Sequence, residues 1–211
     1  VDPFQKFRGV IAPLQRSNVD TDQIIPKQFL KSVKRTGFGE SLFFDWRFLA
    51  DGNPDPDFVL SRDAFRTAEI LVAGNNFGCG SSREHAVWAV MQFGFKCVIA
   101  PSRGEGLERV PGFADIFCNN SVKNGLLTIE LSEAEVDSIF EVVTASPGSE
   151  ATVDLESQTV TIHGDTDLVL SFEIDGASKE TLVKGLDEIA LTLQSDPQIT
   201  AFEKSHQTYL P

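Results

Sequence analysis

Between a short apolar run and a helical pattern, the chain reads Asn75-Asn76-Phe77-Gly78-Cys79-Gly80-Ser81-Ser82-Arg83-Glu84-His85-Ala86. This stretch gathers two hydroxyls, a thiol, a guanidinium, a carboxylate and an imidazole. Gly78 and Gly80 allow the backbone to come close to a ligand. Ser81 or Ser82 is expected to cap the helix that follows, with Glu84 completing a capping box from Ser81. Free N–H groups at such a helix start attract a carboxylate or phosphate, with a dipole contribution of about 0.3–1 kcal/mol. Arg83 adds the flat two-pronged fork that matches a carboxylate. The combination describes an oxyanion pocket, although the same residue types also suit a capped turn with no ligand. A dinucleotide site fits poorly because the glycine fingerprint is incomplete, and a phosphate-binding P-loop fits no better because no lysine follows. Cys79 lacks an evident His-Asp partnership, and His85 reads as a packing residue inside the helix.

Asp20-Thr21-Asp22 is the second candidate. By spacing it is either a fragment of a hard-metal site or a turn whose carboxylates accept backbone N–H groups. Cys79, Cys97 and Cys118 contain no CxxC pair, and His85, His163 and His206 are too scattered for a zinc spacing. Any inorganic centre must therefore be assembled mostly by something else. The formal net charge of -13 argues against nucleic-acid binding. Its distribution is uneven: residues 126–196 hold 16 acidic side chains against Lys179 and Lys184, whereas residues 1–40 hold 7 basic against 4 acidic. The basic segment suits an anion. No apolar run approaches the roughly 20 residues of a membrane helix, and the N-terminus lacks the apolar region of a secretory signal, so the cytoplasm is the default location.

The elements that must hold these residues follow from periodicity. Phe7 to Pro13 reads as a buried strand and Arg16 to Asp22 as a turn, after which Pro26 suits a helix opening. Lys31 to Glu40, with Gly37 and Gly39, has no apolar period and reads as a mobile loop. Ile70 to Ala73, the glycine-bearing loop, the helix Arg83 to Phe93 and the strand Cys97 to Ala100 form one β-α-β unit. Phe113 to Asn124 predicts a helix stopped by Gly125, and Leu127 to Glu130 the next strand. Ser132 with Glu135 predicts a capping box that opens another helix. Thr152 to Leu155, Thr159 to Ile162 and Val169 to Ile174 alternate as strands, and Leu182 to Leu193 returns to helical spacing. The 211 residues suit one α/β domain, with sheet layers and helices on one side.

The Asn75 to Ala86 stretch resembles the signature of the aconitase swivel-domain family. Over nearly its whole length the chain is similar to the small subunits of bacterial 3-isopropylmalate dehydratases. Matching segments are Asn18 to Pro26, Arg35 to Gly39, Asp45 to Phe48, Val98 to Ser102, Phe113 to Phe117, Asn124 to Leu127 and Gly185 to Ile189. The resemblance implies a swivelling β/β/α domain of the aconitase C-terminal type, spanning residues 1–211 with a C-terminal helical tail. It implies no cofactor on this chain and a large-subunit partner that carries a four-iron four-sulfur cluster. It also implies a small dicarboxylate as substrate and a hydro-lyase activity that isomerises 2-isopropylmalate to 3-isopropylmalate in leucine biosynthesis.

Carried over to these positions, Ser81 resembles the base that removes a proton from carbon, and Ser82 and Arg83 resemble carboxylate binders. Asp20, Thr21 and Asp22 fall near the cleft, where orienting Arg83 suits an aspartate better than binding iron. Phe29 to Arg35 resembles the loop that helps to choose the substrate's side group, with Arg35 as its candidate contact. Two segments depart from the family. Arg103 to Gly112 adds ten residues with three glycines and a proline, expected to be a surface excursion near the site rim or subunit interface. Gly176 to Glu180 stands where the family commonly has basic residues. Related hydratases of homoaconitate, citraconate or a substituted malate, and a noncatalytic partner protein of the same fold, are the competing readings.

Overall fold

The structure is a computed structural model and describes residues 1–31 and 35–206. Its elements run β1 (Phe7–Leu14), α1 (Thr21–Ile24), α2 (Phe44–Arg47), β2 (Ala68–Ala73), α3 (Glu84–Phe93), β3 (Cys97–Ser102), α4 (Asp115–Asn124), β4 (Leu127–Ser132), α5 (Glu133–Ala145), β5 (Glu150–Asp154), β6 (Thr159–Ile162), β7 (Leu168–Ser171), α6 (Gly176–Lys184), α7 (Glu188–Leu193) and α8 (Asp196–Ser205). The strands form one seven-stranded mixed sheet in the order β4-β3-β2-β1-β5-β6-β7. The first four are mutually parallel, and β5, β6 and β7 continue the sheet antiparallel.

The two halves differ as their sequences require. Ile70 to Ala73 in β2 and Cys97 to Ala100 in β3 are unbroken apolar runs, and every one of these residues is fully buried. Strands of that kind need cover on both faces, so the expected one-sided layer of helices does not describe this half. In β5 and β6 burial alternates, with Ala151, Val153, Val160 and Ile162 inside, as suits strands covered on one face. β1 joins the halves, pairing parallel with β2 and antiparallel with β5.

Several ends follow local chemistry. Gly125 closes α4 in the left-handed region at φ 91°. Ser132 and Glu135 form the expected capping box on α5, an arrangement worth about 1 kcal/mol. The helical spacing of Leu182 to Leu193 is split in the structure. α6 stops at Gly185 (φ 63°) and α7 restarts after the N-cap Asp187. Gly176 to Glu180 forms the first half of α6, where Lys179 Nζ donates to the Glu156 carbonyl and to Gln158 in the β5–β6 connection. Lys31 to Glu40 also differs from a mobile loop over its described residues, since Phe38 and Gly39 are buried against α3; residues 32–34 lie outside the described residues.

The parallel strands all end on one edge, where open α/β sheets place ligands. The Arg103 to Gly112 segment leaves β3 at this edge. Its tip is surface, with Leu107 fully exposed, and Arg103 and Val110 pair through two backbone hydrogen bonds of 2.8 and 2.7 Å. Its base is not an excursion. Gly112 is buried, its N–H donates to Glu130 at 2.7 Å, and an added Cβ would meet the Ala100 carbonyl oxygen at 2.9 Å. The sequence masks this because Pro-Gly reads equally well as a turn or as a buried backbone crossing. Replacing residues 104–109 with an Asn-Gly turn is expected to shift the thermal midpoint by no more than about 4 °C. Gly112→Ala is expected to cost roughly 1–3 kcal/mol. Calorimetry of both variants checks the division between tip and base.

Candidate active site

Three loops leave the parallel edge, after β1, β2 and β3, and lie side by side. The middle one carries the Asn75 to Ala86 signature. On one flank Gly74 N–H donates to the Arg16 carbonyl (2.9 Å), Asn18 N–H to Asn75 (2.9 Å), Gly78 N–H to Val19 (2.8 Å) and Thr21 N–H to Cys79 (2.9 Å). On the other flank Asn76 and Phe77 N–H groups donate to Pro111 and Gly112 (both 2.9 Å), and Ala114 N–H donates to Phe77 (3.0 Å). The signature loop is therefore the central strand of a small backbone ladder. Phe77 pins it to the core, fully buried with its ring edge-on to Phe117 at 5.2 Å. Gly78 follows at φ 76°, and a Cβ there would fall 2.3 Å from the Phe117 ring, so only glycine fits.

This ladder delivers Asp20-Thr21-Asp22 to the signature. Asp20 is the N-cap of α1, accepting Gln23 N–H at 2.8 Å, while Gln23 Oε1 accepts Asp20 N–H at 3.0 Å. Thr21 is only 2 % exposed, and its hydroxyl donates to the Ser81 carbonyl at 2.9 Å. Asp22 forms a two-pronged ion pair with Arg83, one prong to Nη1 and the other at 3.1 Å to Nη2, and Lys27 approaches from outside at 3.7 Å. Asp20 and Thr21, expected beside the substrate, are thus turned to backbone work. The reason is that a buried loop must satisfy its N–H and carbonyl groups.

Ser81 and Ser82 also depart from expectation. The N-cap of α3 is Arg83, with φ −141° and ψ 106°, and it makes no side-chain capping bond. Glu84 accepts from Asn124 Nδ2 at 2.9 Å instead of folding back on Ser81. Both serines are exposed, and among the described residues neither hydroxyl has a hydrogen-bond partner within the chain. Uncapped N–H groups, two open hydroxyls and a largely buried guanidinium are thus contributed by neighbouring residues at one helix start, a combination suited to an oxyanion. Asn124 was not apparent from sequence. It accepts Trp88 Nε1–H at 2.9 Å while donating to Glu84, and only its place at a helix end was visible.

The remaining titratable groups sharpen this assignment. Hydrogen bonds from Arg83, aided by the charges of Arg83 and Lys27, hold the Asp22 carboxyl below the usual carboxylate range. Burial, with a smaller push from Asp20, raises the Cys79 thiol, the opposite of an activated nucleophile. His85 packs edge-on to Phe38 at 5.2 Å and beside Trp88 at 4.8 Å, as a packing histidine does. Arg35 lies over Trp88 with its guanidinium 5.7 Å from the ring centre, on the outer side of α3. Among the described residues no three His, Cys, Asp or Glu side chains converge as metal ligands.

The profile described as the aconitase C-terminal domain matches residues 1–134. Two further profiles follow, LeuD_N over residues 137–176 and the C-terminal domain of the 3-isopropylmalate dehydratase small subunit over residues 188–211. A protein named 3-isopropylmalate dehydratase small subunit, from Desulforapulum autotrophicum, is 56% identical over 208 residues, covering 99% of this chain and 97% of its own. The chain belongs to the 3-isopropylmalate dehydratase small-subunit family. The crystal structure of a 3-isopropylmalate dehydratase from Methanocaldococcus jannaschii superposes with a TM-score of 0.65 at 26% identity, covering 93% of this chain and 99% of that one. The swivel-type α/β fold implied by the sequence resemblance is thereby established.

For a member of this family, the Asp22–Arg83 pair gives a pH signature. A carboxyl whose folded pKa is depressed contributes stability above its unfolded value of about 3.9 and loses it as pH falls through the folded value. Asp22→Asn is therefore expected to lower the urea midpoint near about pH 7, with the gap to wild type closing below about pH 4. Urea unfolding across that range checks it.

Proposed function

We propose that the chain is the small subunit of a 3-isopropylmalate dehydratase, a hydro-lyase that interconverts 2-isopropylmalate and 3-isopropylmalate by dehydration and rehydration in leucine biosynthesis. One observation carries this reading: Arg83, aligned by Asp22, stands next to the exposed Ser81 and Ser82 at the uncapped start of α3. Ser81 Oγ acts as the base that takes the proton from carbon beside a carboxylate. Ser82 and Arg83 hold that carboxylate. Asp20, Thr21 and Asp22 act behind them, keeping the serine and arginine in place.

A serine alkoxide is a poor species in water, so the site requires fixed N–H dipoles and a positive charge, and requires solvent to be excluded. The first two are features of this chain. The third needs a cover over an open face, which we assign to the large subunit. A four-iron four-sulfur cluster belongs with that partner, because this chain's cysteines do not suit it. Cys97 is fully buried in β3, Cys118 in α4 accepts from Thr128, and Cys79 lies apart from both in the signature loop. Three free thiols suit a reducing compartment, and we place the complex in the cytoplasm.

The isolated chain, purified without oxygen, is expected to hold no stoichiometric iron or sulfide; a cluster stable on this chain alone would overturn the division of labour. After reconstitution with the cognate large subunit, Ser81→Ala is expected to keep folding and assembly while losing turnover by at least about a hundredfold. Arg83→Lys keeps charge but loses the fork, and is expected mainly to raise KM. Wild-type turnover by Ser81→Ala would remove the base assignment. A panel of 2-isopropylmalate, homoaconitate, citraconate and substituted malates fixes the substrate.

A further inference from the structure

Asn124, the last residue of α4, reaches the first turn of α3, and its side-chain amide is engaged at every polar atom. Its Oδ1 accepts Trp88 Nε1–H at 2.9 Å, while its Nδ2 donates to the Asn120 carbonyl at 2.8 Å and to Glu84 Oε1 at 2.9 Å. Chemistry fixes this orientation, because an indole N–H only donates whereas a carbonyl and an ionised carboxylate only accept. Turning the amide over would lose all three contacts. The position is fixed as well, since Gly125 ends α4 directly behind Asn124 at φ 91° and its N–H donates back to the Ser121 carbonyl at 2.9 Å. Glu84 is the first residue of α3 and Trp88 stands one turn further along, so the amide lies against the flank of that turn.

Glu84 stands where a negative charge competes directly with a bound anion. A carboxylate in the first turn of a helix is drawn to the same free N–H groups and the same positive dipole end that attract a ligand's carboxylate. Only the direction of the side chain decides whether it becomes a rival. Here Glu84 Oε1 is bonded to Asn124 on α4, while Ser81 and Ser82 stay exposed and the N-cap Arg83 makes no side-chain capping bond. As a neutral donor, Asn124 directs that carboxylate without adding a charge of its own. We propose that Asn124 is a positioning residue, which holds the Glu84 carboxylate towards α4 and so keeps the start of α3 open to a carboxylate ligand. The identity of that ligand rests on the dehydratase reading, but the diversion of Glu84 does not.

The test uses Asn124→Asp, which keeps the acceptor for Trp88 but turns the donor facing Glu84 into a second carboxylate oxygen, alongside Glu84→Ala and the double variant. Glu84 is exposed, so its truncation leaves the core untouched. In the isolated full chain, a released Glu84 is expected to cap the free amides at the start of α3. Exchange of the His85 amide proton, read by NMR, therefore slows at least about threefold in Asn124→Asp, and the double variant exchanges at the rate of Glu84→Ala alone. In the reconstituted complex, Asn124→Asp is expected to raise the KM for 2-isopropylmalate about fivefold with kcat changed less than about twofold. Glu84→Ala is expected to leave KM at or below the wild-type value, and the double variant to match it, because the defect acts through that one carboxylate. A pair that merely braced α3 against α4 would behave in the opposite way, with Glu84→Ala as harmful as Asn124→Asp. A raised KM in Glu84→Ala, a defect that persists in the double variant, or unchanged His85 exchange in Asn124→Asp would each overturn the proposal. A wild-type complex inactive on 2-isopropylmalate would instead sink the dehydratase reading, with His85 exchange still deciding where the Glu84 carboxylate goes.

Discussion

Everything at the parallel edge depends on the backbone ladder that welds the loop after β1 to the loop after β2. Four hydrogen bonds between residues 16–21 and residues 74–79, two donated from each side, fix the relative height of the two loops. That height is what lets Thr21 reach the Ser81 carbonyl and Asp22 reach Arg83. A two-pronged pair tolerates little displacement, since both N–H···O bonds must stay near 3 Å. Shifting one loop along the other by a residue would move Asp22 by about 3.3 Å and leave a largely buried guanidinium without its partner. The ladder in turn depends on β1 and β2 being adjacent and parallel, so the chemistry of a few side chains is set by sheet order.

That dependence explains what was and was not legible beforehand. The strand-loop-helix-strand unit around the signature was visible because its apolar periods are long and unmixed, and the α5 cap was visible because a Ser-x-x-Glu box acts within one turn. The same box, read onto Ser81 and Glu84, failed for a reason outside the window. Asn124, which ends α4, takes the Glu84 carboxylate, and Thr21 takes the Ser81 carbonyl. Local patterns compete with long-range partners, and only the fold says which partners arrive. The break at Gly185 was hidden in a similar way, because apolar spacing continued across a residue whose left-handed backbone ends the helix.

The structure brings the segments that sequence singled out together, but it divides their hydrogen-bonding roles differently than their residue types suggested. Asp20-Thr21-Asp22 presents three polar side chains in a row, and they serve in turn as a helix cap, a buried carbonyl partner and an ion-pair partner. Residue type could not separate them, since all three roles use the same kinds of oxygen. Burial separates them, with Thr21 inside and Asp22 partly open. The result is a layered arrangement in which the hydroxyls that touch solvent, those of Ser81 and Ser82, have no hydrogen-bond partner among the described residues, while Asp20, Thr21 and Asp22 are each bonded within the chain.

That layering has an energetic logic. A hydroxyl already bonded within its own chain would have to give up that bond before engaging an incoming group, at a cost of about 0.5–1.5 kcal/mol. Leaving Ser81 and Ser82 uncommitted avoids this cost and keeps them solvated until something displaces the water. The rigidity needed for orientation is placed one step back, in Thr21, Asp22 and the buried ring of Phe77, where ordering is already complete in the folded chain. Such a face is prepared but open. It has its donors and its charge in position, and it lacks the enclosure that would raise their strength by lowering the local dielectric. The same exposure that leaves Ser81 and Ser82 uncommitted also leaves them in the high-dielectric surroundings of water, where each donor acts at its weakest.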